Sequence, residues 1–86
     1  MLLYLITMAR RRKRQFKMKI TRNNTGIPEG TLVLLPSEEL LIIEAVFREP
    51  DGICYRVQFV EEDGDEYIPI CEPRIMYHCD LIGAEM

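Results

Sequence analysis

The sequence predicts an all-β domain, a small antiparallel barrel of five or six short strands preceded by a flexible basic N-terminal arm. Three observations carry this. Apolar and polar residues alternate with period two through most of the chain, and no stretch sustains a helical period. Two Asp-Gly pairs, Asp51-Gly52 and Asp63-Gly64, separate runs rich in β-branched residues. With 86 residues there is enough chain for one modest core and no more. The reading divides the chain into an apolar and basic arm at 1–14, a barrel at 15–82 and a C-terminal tail at 83–86.

The elements follow in order. Phe16, Met18 and Ile20 alternate with Lys17, Lys19 and Thr21, so a first strand is expected with three apolar side chains on one face and cations on the other. Asn23-Asn24-Thr25-Gly26 and Ile27-Pro28-Glu29-Gly30 break it. Thr31 to Leu35 is almost wholly apolar and stops at Pro36, which suits a strand covered on both faces.

Ser37-Glu38-Glu39 resembles a helix start, yet Leu40 to Arg48 reads better as a strand. Leu41, Ile43, Ala45 and Phe47 share one side of an extended chain, and Glu49-Pro50-Asp51-Gly52 is a hairpin turn. The return strand, Ile53 to Val60, sets Tyr55, Val57 and Phe59 against Cys54, Arg56 and Gln58. After the acidic turn Glu61 to Glu66 comes a short strand from Tyr67 to Cys71, with Pro69 marking an edge or a bulge. Ile75 to Leu81 is a last short strand or a single helical turn.

Residues 30 to 76 carry a resemblance. Gly30-Thr31-Leu32-Val33, Ile43-Glu44-Ala45-Val46, Tyr55-Arg56-Val57-Gln58-Phe59, Asp63-Gly64-Asp65-Glu66 and Tyr67-Ile68-Pro69 together resemble the SH3-like barrels of the Tudor and KOW kind. Those families commonly show a Gly-Thr-x-Val opening, a Tyr-x-Val-x-Phe central strand, an acidic Asp-Gly turn and a short strand ending near a proline. The resemblance is architectural, covers about half the chain, and implies a non-enzymatic interaction module. The chain lacks Trp and a clear aromatic cage, so methyl-lysine or methyl-arginine reading is not carried over.

Composition excludes a disordered chain, because 48% of residues are hydrophobic, enough to build a core. The net charge of −3 conceals a split. Arg10, Arg11, Arg12, Lys13, Arg14, Lys17, Lys19 and Arg22 precede every acid, which gives the first 28 residues a charge of +8. From Glu29 onward three arginines oppose all fourteen acids, a net of −11. A basic end on an acidic body points to nucleic acid or a nucleoprotein assembly as the arm's partner, bound by sequence-blind phosphate contacts. The candidate binding residues are Arg10, Arg11, Arg12, Lys13, Arg14, Lys17 and Lys19. Two other readings stay open: a protein-docking accessory subunit that uses Leu2 to Ile6 or Pro69 to Tyr77, and an acidic body that mimics a phosphate backbone.

No catalytic residues, metal or cofactor are expected. Cys54, Cys71 and Cys79 are odd in number and contain no Cys-x-x-Cys pair, so reduced structural thiols in a cytoplasmic setting are the expectation, and His78 beside Cys79 does not complete a zinc motif. The acidic turn lacks the ligand spacing of a calcium loop. Met1 to Met8 is apolar but far shorter than the roughly 20 residues of a membrane span, and its basic cluster follows the apolar run where a secretory signal puts it first. No membrane insertion is expected. Translation from Met8 would instead open the chain on Met-Ala-Arg-Arg-Arg-Lys-Arg.

Overall fold

A computed structural model describes residues 16–86. Their fold is all-β: β1 (Leu32–Leu34), β2 (Leu40–Glu49), β3 (Gly52–Asp63), β4 (Glu66–Pro69) and β5 (Arg74–Tyr77), closed by one 3-10 turn at His78–Leu81. All pairings are antiparallel, in one open sheet of order β1-β2-β3-β4, with β5 also on β3. From β1 onward the period-two pattern therefore reports the strands correctly, including the strand at Leu40 that competed with a helix. Ser37, Glu38 and Glu39 belong to the β1–β2 connection, where the Glu38 amide donates to the Leu35 carbonyl at 2.8 Å and the Leu35 amide to the Glu39 carbonyl at 2.9 Å.

The central strand β3 is three times as long as β4 or β5 and holds both. β4 pairs with its far half (Val60↔Pro69 to Asp63↔Glu66) and β5 with its near half (Cys54↔Tyr77 to Val57↔Arg74). Pro69, which has no N–H to donate, sits at the end of edge strand β4 as its chemistry requires. Gln58 spans the break between the two neighbours. Its side-chain amide Nε2 donates to the carbonyls of Phe59 at 3.0 Å and Cys71 at 2.6 Å, while the Ile70 amide donates to the Phe59 carbonyl at 3.1 Å.

One face of the sheet carries the main core. Leu41, Ile43, Tyr55, Val57 and Phe59 meet Val33 and Leu35, and Ile20, Ile27, Leu81 and Ala84 cover them. The opposite face holds a second cluster, Leu40, Ile42, Val60 and Tyr67, against which Phe16, Leu32 and Leu34 pack. The expected double covering of Thr31 to Leu35 is thus present, with Val33 and Leu35 on one side and Leu32 and Leu34 on the other.

Two expectations need correction. The first concerns β2, where the register slips between Ile43↔Val57 and Ala45↔Arg56, leaving Glu44 as the extra residue of a β-bulge. A one-residue slip exchanges the faces, so Val46 and not Ala45 or Phe47 follows Ile43 into the core, and Phe47 is left 38% exposed. The second concerns the expected first strand at Phe16 to Ile20, which is reduced to one bridge between Lys19 and Glu85. Its three apolar residues do not share a core face: Ile20 enters the main core, Phe16 packs on the second cluster, and Met18 is 55% exposed.

The last residues, expected as a tail, are hydrogen-bonded on two sides. Met86 exchanges backbone bonds with Met18, Ala84 and Gly83 bond to Ile20, and Glu85 exchanges bonds with Leu34 at 2.8 and 2.9 Å. Gly83 has φ +97°, a left-handed conformation that lets the chain turn from the 3-10 segment into this pairing. Residues 18–20 are thereby tied to the edge of β1, and the chain enters the domain at a fixed place.

Candidate nucleic-acid interface and the acidic groove beside it

Of the seven residues expected to contact nucleic acid, Arg10, Arg11, Arg12, Lys13 and Arg14 lie outside the described residues. Lys17 and Lys19 are exposed. The backbone between them is pinned, because Met18 and Ile20 bond to the C-terminal segment and the Asn24 side-chain amide donates to the Lys19 carbonyl at 3.0 Å. Asn24 in turn accepts the Thr21 amide at 2.7 Å, so the loop that follows is closed on itself. Two ammonium groups are thus presented from a held strand-like segment that continues directly into the arm.

The body also carries a groove of about 530 Å³, lined by Leu34, Leu40, Val60 and Ile70 and by Glu38, Glu39, Glu61 and Glu62. The β1–β2 connection supplies Glu38 and Glu39, and the end of β3 supplies Glu61 and Glu62. Glu38 adopts φ +74°, a left-handed conformation that a side chain at Cβ disfavours. Glu39 accepts the Ser37 hydroxyl at 3.0 Å. In the sequence Glu61 and Glu62 belong to an acidic turn, and Glu38 and Glu39 to a stretch that resembles a helix start. The pairing of β1 with β2 and of β2 with β3 brings them to one edge, a long-range relationship with no local signature.

His78 is buried, with Nδ1 2.8 Å from the Tyr55 hydroxyl and Nε2 2.7 Å from the Thr21 carbonyl, so both ring nitrogens already have partners. Among the described residues no three His, Cys, Asp or Glu side chains gather as a metal site. All three cysteines are free, Cys54 buried and Cys71 and Cys79 exposed. Burial, followed by the carboxylates of Glu49 and Asp51, pushes the Cys54 thiol above the usual thiol range. The Tyr77 phenol is pushed up as well, first by Asp51 and then by Cys54.

Cys54 sits in a row that sequence reading did not anticipate. Phe47 on β2, Cys54 on β3 and Tyr77 on β5 are directly opposed across three strands, with Ala45, Arg56 and Ile75 in the next row. This face shows Phe47 and Tyr77 each 38% exposed and Ile75 55% exposed. Arg56 binds Glu44 of the bulge at 3.2 Å within it.

Against known proteins, the chain matches no family model, no curated protein and no solved structure.

Proposed function

We propose that the chain is a non-enzymatic interaction module, an SH3-like barrel in architecture, whose basic N-terminal arm contacts nucleic acid or a nucleoprotein assembly. The observation that carries this reading is the charge split, with eight cations ahead of the first acid. Lys17 and Lys19 extend that positive segment onto the folded body, exposed and on a backbone held at both sides. Phosphate contacts from such an arm release counterions, so they carry affinity without base recognition. Reduced thiols fit a cytoplasmic setting, and among the described residues no helix is long and apolar enough to cross a membrane.

Fluorescence anisotropy with a duplex and a single strand, at two salt concentrations, tests the reading. Binding should weaken steeply with salt, and changing Arg10, Arg11, Arg12, Lys13 and Arg14 to Gln should flatten the slope by about 0.7–0.9 per lost contact. No binding by the unaltered chain at low salt removes the proposal.

A second reading, a protein-docking subunit, is favoured by the stretch from Pro69 to Tyr77, where Ile70 is 52%, Ile75 55% and Tyr77 38% exposed. Exposed apolar side chains of this kind suit a partner's apolar surface.

A further inference from the structure

We propose that the groove between Glu38, Glu39, Glu61 and Glu62 is a docking site for an arginine-rich segment, and that its occupant is Arg10–Arg14 of this same chain. The groove has the chemistry such a segment needs. Leu34, Leu40, Val60 and Ile70 give apolar walls for the methylene stems of arginine, and the four glutamates give carboxylates for the guanidinium heads. The two components act together: the carboxylates favour a cation, and a compact cation alone leaves Ile70, already 52% exposed, uncovered.

The position of the arm supplies the second argument. Phe16 packs against the cluster of Leu40, Ile42, Val60 and Tyr67, as Leu34 does. Leu34, Leu40 and Val60 belong also to the lining of the groove. Phe16 thus packs on a cluster that shares Leu40 and Val60 with the groove, and Arg14 lies two residues along the chain from it. Even Arg10, six residues from Phe16, is within a reach of about 20 Å for extended chain. Five consecutive cations therefore lie a short tether from a groove lined by four acids, and joining them costs little loop closure entropy because that tether is so short. The docking stands apart from the arm's affinity for nucleic acid and holds whether or not that affinity exists.

Carbodiimide cross-linking of the full chain, followed by peptide mass spectrometry, reads the contact directly, since the reagent joins an amine to a carboxylate only where the two touch. Lys13 is the amine inside the arginine run. In the monomer, Lys13 should be joined to Glu38, Glu39, Glu61 or Glu62, and about 1 M salt should suppress the product. A variant with Arg10, Arg11, Arg12 and Arg14 changed to Gln keeps Lys13 and the whole folded body, and should lower the yield about fivefold or more as its ion pairs are lost. Lys13 joined to carboxylates away from the groove, or to none, overturns the proposal. So does a product confined to the dimer band, which would make a second copy's arm the occupant, and so does an undiminished yield in the glutamine variant.

Discussion

The hydroxyl of Tyr55 lies 2.8 Å from Nδ1 of His78, inside the core, and accepts the backbone amides of Gly26 at 3.1 Å and Ile27 at 3.2 Å. With two amides donating to the oxygen, its own proton goes to Nδ1. The imidazole proton therefore sits on Nε2, which donates to the Thr21 carbonyl at 2.7 Å, an assignment made from the network. One tyrosine and one histidine thus fasten the loop at 21–27 to the central strand and to the 3-10 turn.

Replacing Tyr55 by Phe keeps the ring and removes the oxygen, so two backbone amides and Nδ1 lose their partner together. The expected loss is about 2–4 kcal/mol, from a cost of about 1–3 kcal/mol for each buried polar group left unpaired and partial relaxation of the loop. Urea denaturation of Tyr55→Phe, His78→Phe and the double variant checks it. The two losses should fall short of additivity by more than about 0.5 kcal/mol, and strictly additive values would show that the pair is not coupled.

This network was only half legible in the sequence. Tyr55 was placed on the core face by alternation with Val57 and Phe59, and it is there. His78 drew attention only as a neighbour of Cys79, because its true partners, Tyr55 and Thr21, are 23 and 57 residues away and no local pattern announces them. The same limit hid the bulge at Glu44. Period two identifies a strand but continues across an inserted residue unaltered, so Phe47 was assigned to the face that Val46 occupies. The turns, whose chemistry is local, were read correctly at Asp51-Gly52 and Asp63-Gly64. The basic cluster was the most legible chemistry in the chain, while the acidic groove beside its root required the pairing of three strands.

Glu38 offers a change that should stabilise. Its φ of +74° is in the left-handed region, where a Cβ costs about 1 kcal/mol or more and glycine costs nothing sterically. Glu38→Gly should therefore raise stability by about 0.5–1 kcal/mol, read as a higher urea midpoint with an unchanged slope. A lower midpoint would mean that contacts of the glutamate side chain outweigh its backbone strain.

Gln58 is buried at the break between β4 and β5, and its Nε2 is the donor for the Cys71 carbonyl. Gln58→Leu preserves volume but leaves that carbonyl and the polar rim of the break unserved. The loss should be about 1–3 kcal/mol. Amide hydrogen exchange distinguishes a local from a global effect: protection should fall first at Ile70 and along β4 and β5, while the β2–β3 ladder should follow only the overall stability. Uniform loss across the sheet would show that Gln58 does not staple this loop in particular.

The final prediction concerns Cys54 and its neighbour Tyr77, whose protons are both held more tightly in the fold than in the open chain. A raised folded pKa means that, above the ordinary thiol value of about 8.5, the unfolded chain releases a proton that the folded chain retains. Stability from this source is complete below that value and is lost as the pH rises through the folded pKa. The domain should accordingly lose stability in alkaline solution, and Cys54→Ala should make the decline shallower even though it removes a small buried side chain. The same environment protects the thiol, because the thiolate is the nucleophile and burial also bars the reagent. At pH 8 a disulfide reagent should consume two thiols per chain rapidly, Cys71 and Cys79, and the third only at the rate at which the fold opens. Three equally fast thiols, or an alkaline decline identical in Cys54→Ala and the unaltered chain, would show that the Phe47–Cys54–Tyr77 row does not shield the sulfur from solvent.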